Sequence, residues 1–107
     1  MTRRVTLFVM NNMDDIKKAY DELKSDAYLP EGAQVHVYYW GDENAPEMQV
    51  GMIYGDLVQT IDFEHAWQAS EYTESEAFAD QKRRTKGLFS SFMALNYTAE
   101  ENRPEPV

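Results

Sequence analysis

The chain has 107 residues and no cysteine, so it is expected to form one domain without thiol catalysis, thiolate metal sites or disulfides. Its formal net charge is −9, from 19 acidic and 10 basic residues. A field of this sign repels phosphate, so we expect no direct binding to nucleic acid or to an anionic membrane and favour a basic protein partner. The absence of cysteine fits a reducing compartment, and we therefore expect a cytoplasmic protein.

The first predicted element is a strand in the apolar run Val5–Met10, which is too short for a signal sequence or a membrane span. Apolar side chains on both of its faces predict a central strand. Asn12 is a suitable N-cap for a helix that continues to about Ser25. The stripe expected to be buried consists of Met13, Ile16, Tyr20 and Leu23.

A second strand is predicted over Gln34–Trp40, and its side chains alternate between two faces. One face carries Val35, Val37 and Tyr39, and the other carries His36, Tyr38 and Trp40. We expect the His36 face to be a core face covered by the C-terminal helices. The alternative is an interface with a partner or with a second copy, where Tyr and Trp are favoured.

Two short strands are predicted at Met48–Tyr54 and Leu57–Ile61, joined by Gly55 and Asp56. A glycine accepts the positive φ of a type II′ turn, so this pair predicts a two-residue β-hairpin. Together with the two earlier strands, the hairpin gives a sheet of four strands.

Two helices are predicted to follow. Asp62 is expected to cap the first of them, which ends near Tyr72. Thr73 and Glu76 form a capping-box pattern that opens the second, which reaches Asn96 unless Gly87 divides it. The inner face of the first helix is Phe63, Ala66, Trp67 and Ser70, and that of the second is Phe78, Gln81, Thr85, Leu88, Phe89, Phe92 and Asn96.

The predicted fold is a single α+β domain over residues 1–97, in the order β-α-β-β-β-α-α, with a four-stranded mixed sheet covered by helices. The first strand-helix-strand unit is expected to be right-handed with parallel strands. Residues 98–107 contain two prolines and three acids, which predicts a disordered acidic tail.

This order, with Pro46 just ahead of a hairpin and a helix beginning at Asp62, is similar to the thioredoxin and glutaredoxin topology. That family carries a cysteine-containing motif between its first strand and first helix. At that place this chain has Asn11, Asn12, Met13 and Asp14. The resemblance therefore implies the shape of that family without its redox chemistry.

Charge is unevenly distributed along the chain: twelve acids and no Lys or Arg lie between Asp26 and Asp80. Most acidic runs are solvated faces that keep a protein in solution. The functional alternative is a non-catalytic module whose acidic face docks on a basic partner, in the manner of a DNA mimic that inhibits a nucleic-acid-binding or nucleic-acid-cleaving protein. The residues predicted to contact such a partner are the acids Asp42, Glu43, Glu47, Asp56, Glu64 and Glu71 and the aromatics Tyr38, Trp40 and Trp67.

Two other functions are left open. The first is a homo-oligomeric structural or accessory protein, including a homodimer, that associates through the predicted helix Ser75–Asn96. The second is a small enzyme or ligand-binding domain that uses the chain's two histidines, His36 and His65, a residue type suited to proton transfer at neutral pH. No spacing typical of a metal, cofactor or catalytic site is present, so we predict a protein that is not an enzyme and needs no cofactor.

Overall fold

The computed structural model describes residues 1–27, 29–45 and 55–98, with backbone alone for the last two. The described residues form four strands and three α-helices. The strands are β1 (Thr2–Met10), β2 (Gln34–Tyr39), β3 (Leu57–Phe63) and β4 (Phe89–Thr98). The helices are α1 (Ile16–Lys24, preceded by the 3₁₀ turn Met13–Asp15), α2 (Ala66–Glu74) and α3 (Glu76–Arg84).

The four strands form one sheet in the order β2-β3-β1-β4. β1 is central, as predicted, and the α+β class is confirmed. Every strand pair within the described residues is antiparallel, so the expected mixed sheet is wrong. β1 and β2 run in the same direction because each is antiparallel to β3, which lies between them.

The helices cover one face of the sheet, which we call the helix-covered face. On it Phe8 and Val37 pack with Leu23 of α1, and Phe63 packs with Tyr72 of α2. We call the opposite side the far face. There the buried residues Val5, Leu7 and Val58 form a cluster built from strands alone, with Tyr38 partly buried against it.

This arrangement corrects the expected orientation of β2. Val35 and Val37 pack toward the helices, and His36 and Tyr38 lie on the far face, opposite Thr60 and Val58 of β3. The prediction chose the face with the larger aromatic side chains as the core face. In the structure the two valines fill the space against α1, so the aromatic face is turned away from the helices.

The cap predicted at Asn12 is present, and it opens the 3₁₀ turn that precedes α1. The Asn12 side chain accepts a hydrogen bond from the Asp14 backbone N–H at 2.9 Å. Ala19 and Leu23 are buried in the core, whereas Met13 is 54% exposed and does not belong to the buried stripe.

The predicted caps of the other two helices are wrong. Asp62 belongs to β3, and α2 begins after His65, whose N–H donates to Gln68 Oε1 at 2.9 Å. Ser75 caps α3, since its hydroxyl accepts from the Phe78 N–H at 3.1 Å. Thr73 lies inside α2 and its hydroxyl donates to a carbonyl one turn earlier.

The predicted helix from Ser75 to Asn96 is also wrong, because α3 ends at Arg84 and the next ten-residue element is a strand. Gly87 has φ of 88°, a left-handed conformation that ends the helical path at little cost for glycine. The Asn11 N–H then donates to the Leu88 carbonyl at 2.9 Å, which joins the turn to the end of β1. Pairing as a strand satisfies the backbone hydrogen-bonding groups along this edge of β1, which a continued helix would leave unpaired.

The first strand of the predicted hairpin, Met48–Tyr54, lies outside the described residues, and so does Pro46. The φ of Gly55 is not positive, so the type II′ turn proposed at this position is wrong. Gly55 is required for another reason: a Cβ there would lie 2.3 Å from Leu7 Cδ1. Of the predicted tail, the structure describes only residue 98, the end of β4.

The order of elements also differs from the thioredoxin-like prediction, which ended in a helix instead of a strand paired with β1. Within the described ranges, no helix has the length and hydropathy needed to cross a membrane.

Candidate functional site

A cleft with a cavity of about 250 Å³ lies on the helix-covered face, between the sheet and α3. β1, β3 and β4 form one side of it, and α3 with the following turn forms the other. Its volume is just below the range of roughly 300–1,000 Å³ typical of small-molecule sites. The cleft is the candidate functional site.

Aromatic rings form much of the wall of the cleft. The ring centroid of Phe8 lies 4.5 Å from that of Phe89 and 6.2 Å from that of Phe92. A β-bulge at Ser90 produces this grouping, since Val9 pairs with Ser91 and Met10 with Phe89. The extra residue turns Phe89 onto the same face as Phe92, which is 58% exposed.

The floor of the cleft contains a buried cation. Arg4, on β1, is only 8% exposed, and its guanidinium lies 5.5 Å from the ring centroid of Phe78. Within the described residues no carboxylate lies within ion-pair distance of it. Desolvation by burial lowers the pKa of Arg4, and the nearby Tyr72 has a smaller opposite effect. A buried charge without a counter-charge is costly in a protein interior.

A second polar group on the floor lacks a partner. Thr6 is 1% exposed, and its hydroxyl oxygen makes no hydrogen bond to any described residue. Thr6 lies two positions after Arg4 on the same face of β1, so both side chains line the cleft.

The neighbouring amides are, by contrast, held by hydrogen bonds. Gln59 Nε2 donates to the Leu23 carbonyl at 2.8 Å, and Gln81 Oε1 accepts from the Tyr72 hydroxyl at 3.2 Å. These bonds join the sheet to α1 and α2 to α3. They fix the floor around Arg4 and Thr6.

Two lysines add positive charge at the side formed by α3 and the following turn. The Lys82 ammonium lies 5.2 Å from the centroid of Phe78, so this ring has two cations close to it. Lys86 also lines the cleft. Three cations and no described acid line this site, although the chain carries 19 acids against 10 bases.

The predicted acidic residues lie elsewhere. Asp56 is buried, and its carboxylate accepts a hydrogen bond from the Met10 N–H at 2.7 Å, so it does not contribute to an exposed acidic face. Glu47 lies outside the described residues. The remaining four are exposed: Asp42, Glu43, Glu64 and Glu71.

Bases from the two ends of the chain compensate part of the acidic stretch. Arg3 binds Asp62 through two hydrogen bonds of 2.6 and 3.1 Å, which raises the pKa of Arg3. Arg83 pairs with Asp80 at 3.3 Å. Two of the twelve acids are thereby paired, and the buried Asp56 makes a third that does not act as a free surface charge.

The predicted aromatic anchors and histidines do not line the cleft. Trp40 is 45% exposed and Tyr38 is half-buried on the far face, where His36 stacks on it with centroids 6.3 Å apart. Trp67 is exposed on α2, stacked on His65 at 5.9 Å. No group of His, Asp and Glu suited to a metal ion occurs in the described ranges.

Sequence reasoning missed Arg4, Thr6 and Phe89 as site residues. One signal for the first two was present, because Thr2, Arg4 and Thr6 place a polar stripe on one face of an otherwise apolar strand. No comparable signal exists for Phe89, whose orientation depends on the bulge at Ser90.

No protein-family model and no curated protein matches the sequence. Solved structures do match the fold. A protein from Arabidopsis thaliana is 14% identical with a TM-score of 0.69, over 100% of this chain and 98% of that one. A dimeric ferredoxin-like protein of unknown function from Thermobifida fusca is 10% identical with a TM-score of 0.63, over 90% and 88%.

A DABB family protein with a ferredoxin-like fold from Mesorhizobium loti is 10% identical with a TM-score of 0.58, over 91% of this chain and 94% of that one. These identities are low, so the similarity concerns architecture alone. The chain is a single α+β domain whose structural neighbours have ferredoxin-like folds.

Proposed function

We propose that the protein binds a small, largely apolar molecule in the cleft between the sheet and α3. The observation that carries this proposal is the cavity of about 250 Å³ walled by Phe8, Phe89 and Phe92. Phe92 is 58% exposed although it lies on the helix-covered face, and such a ring gains from a ligand that shields it from water. We retain the prediction of a non-catalytic role, which chemical turnover of a bound ligand would contradict.

Titration with 2-naphthylmethanol, followed by NMR chemical shifts, tests this proposal. Saturable binding is expected, with the largest shifts at Phe89, Phe92 and Thr85. Phe92→Ala should weaken the affinity by about fivefold, the effect of about 1 kcal/mol of ring contact. Trp67→Ala, an exposed aromatic outside the cleft, is the matched control and should bind as the wild type does. Shifts clustered around Trp67, or unchanged binding by Phe92→Ala, would refute the site.

Homodimerisation is a second proposed property. The Thermobifida fusca neighbour is described as dimeric. In this chain Met93 is 37% exposed on the edge strand β4, on the far face opposite Leu7, and Leu95 beside it is only partly buried. Exposed apolar side chains on a sheet face suit association with a second copy. Sedimentation velocity at micromolar concentration should show a dimer, and a strict monomer would rule this out.

Docking on a basic protein, with inhibition of a nucleic-acid-binding or nucleic-acid-cleaving partner, is a third proposal. It rests on the net charge of −9 and on the exposed acids Asp42, Glu43, Glu64 and Glu71. Its affinity for such a partner should fall as salt is raised, because the interacting charges are screened. Binding that is insensitive to salt would exclude this mechanism.

A further inference from the structure

We infer that the cleft selects anionic ligands: its occupant carries a carboxylate, sulfonate or similar acidic group that Arg4 and Thr6 hold, attached to an apolar body that contacts the phenylalanines. This inference rests on the proposed function and adds the chemical class of the ligand. The overall charge of −9 predicts the opposite preference, so the inference depends on the local arrangement alone.

Arg4 lies on the floor of the cleft. More than nine-tenths of this residue is buried, it lines the cleft, and within the described part of the chain its guanidinium has no carboxylate partner. Buried guanidinium groups in proteins are paired, because the cost of desolvation must be offset. The planar donor edge of Arg is suited to two parallel hydrogen bonds with an acidic group.

A second cation lies near Arg4. The Lys82 ammonium and the Arg4 guanidinium lie 5.2 and 5.5 Å from the centroid of the same Phe78 ring. Two cations close to one ring repel each other, and a negative charge beside them offsets that repulsion. The Thr6 hydroxyl, which makes no hydrogen bond within the described ranges, supplies one more donor on the floor of the cleft. No acid of the described residues lines this space, and the proposed ligand supplies the negative charge.

The wall of the cleft determines the rest of the ligand. Apart from this polar floor, much of the wall is aromatic, and the volume of about 250 Å³ admits only a compact molecule. An aromatic or short-chain acid meets both conditions. A free inorganic anion would leave the rings without a contact, and a neutral hydrocarbon would leave Arg4 uncompensated.

The experiment compares three ligands of one shape and different charge: naphthalene-2-carboxylate, 2-naphthylmethanol and 2-naphthylmethylammonium. Affinities are measured by calorimetry on the wild type, on Arg4→Met and on Arg3→Met. Arg3 is the matched control because it is the adjacent arginine, lies on the far face and pairs with Asp62. In the wild type the carboxylate should bind about tenfold tighter than the alcohol, and the ammonium more weakly than both.

Arg4→Met should bind the carboxylate about as weakly as the alcohol, while Arg3→Met should keep the wild-type preference. Equal affinity of the wild type for carboxylate and alcohol would overturn the inference and leave the proposed cleft intact. Failure of all three ligands to bind would overturn both. If Arg4→Met does not fold, the ligand series on the wild type still decides, since equal affinity for the carboxylate and the alcohol would overturn the inference.

Discussion

Arg4 and Asp56 show how burial changes the meaning of a charged residue. In the sequence Asp56 belongs to an acidic stretch and Arg4 belongs to a basic N-terminus, which places both on the surface by default. In the structure the Asp56 carboxylate accepts a hydrogen bond from the Met10 N–H at 2.7 Å, and this bond links the end of β1 to the start of β3. Arg4 has no such partner among the described residues, which makes it the better indicator of a binding site.

Tyr72 gives a prediction at the same scale. Its phenol is 4% exposed, and burial raises its pKa to about 12 from 10, with Arg4 opposing the shift. As the pH rises, Tyr72 therefore loses its proton at a lower pH in the unfolded state than in the folded state. The free energy of unfolding should be undiminished below pH 10 and should fall by about 2 to 3 kcal/mol as the pH rises to about 12.

Urea denaturation across this pH range measures the loss. Tyr72→Phe cannot ionise, so its free energy of unfolding should fall less steeply than that of the wild type over the same range. Parallel curves for the two proteins would show that another group is responsible for alkaline unfolding.

At the scale of elements, the start of α3 depends on one hydroxyl. Ser75 accepts from the Phe78 N–H and donates to the Tyr72 carbonyl at 2.7 Å. Ser75→Ala should lower the free energy of unfolding by about 1 kcal/mol, as is typical for the loss of an N-cap. Thr73→Ala, at the cap position that the sequence favours, should cost less than about 0.5 kcal/mol. Urea unfolding of both variants decides, and a larger loss at Thr73 would contradict the observed cap.

The entry into β3 gives a second prediction for an element. A Cβ on Gly55 would lie 2.3 Å from Leu7 Cδ1, so Gly55→Ala should destabilise the protein by about 1 to 3 kcal/mol through overpacking. Leu7→Ala alone should cost about 2 to 5 kcal/mol. The double variant should lose less than the sum of the two, because removing the leucine makes room for the new methyl group. Additive losses in urea unfolding would show that the two sites do not contact each other.

For the whole molecule, β4 separates two proposed properties by face. Met93 lies opposite Leu7 on the far face, and Phe92 lies opposite Phe8 on the helix-covered face beside the cleft. Met93→Glu should dissociate the proposed dimer, because a charge would be buried in the interface, and should leave ligand binding unchanged. Phe92→Ala should weaken ligand binding and should leave the proposed dimer intact.

Sedimentation velocity and ligand titration on both variants test this separation. If Phe92→Ala dissociates the dimer while Met93→Glu does not, the helix-covered face forms the interface and both proposals must be revised.

Local pattern alone determined several features of this protein. The single α+β domain, the central position of β1, the N-cap at Asn12 and the strands around Val35 and Val58 follow from alternation, capping chemistry and chain length. These features depend on residues close together in the sequence, so the sequence shows them directly.

Only the tertiary structure decided the rest. Residues 89–96 carry spacing compatible with a helix, but the free edge of β1 provides a ladder of hydrogen bonds, and the segment pairs there as β4. That pairing, with its bulge at Ser90, brings Phe89 and Phe92 over Arg4 and Thr6 and creates the cleft. Burial and pairing between residues more than eighty positions apart are properties of the folded chain. No local pattern in the sequence shows that the charge of Arg4 is buried without a carboxylate partner among the described residues.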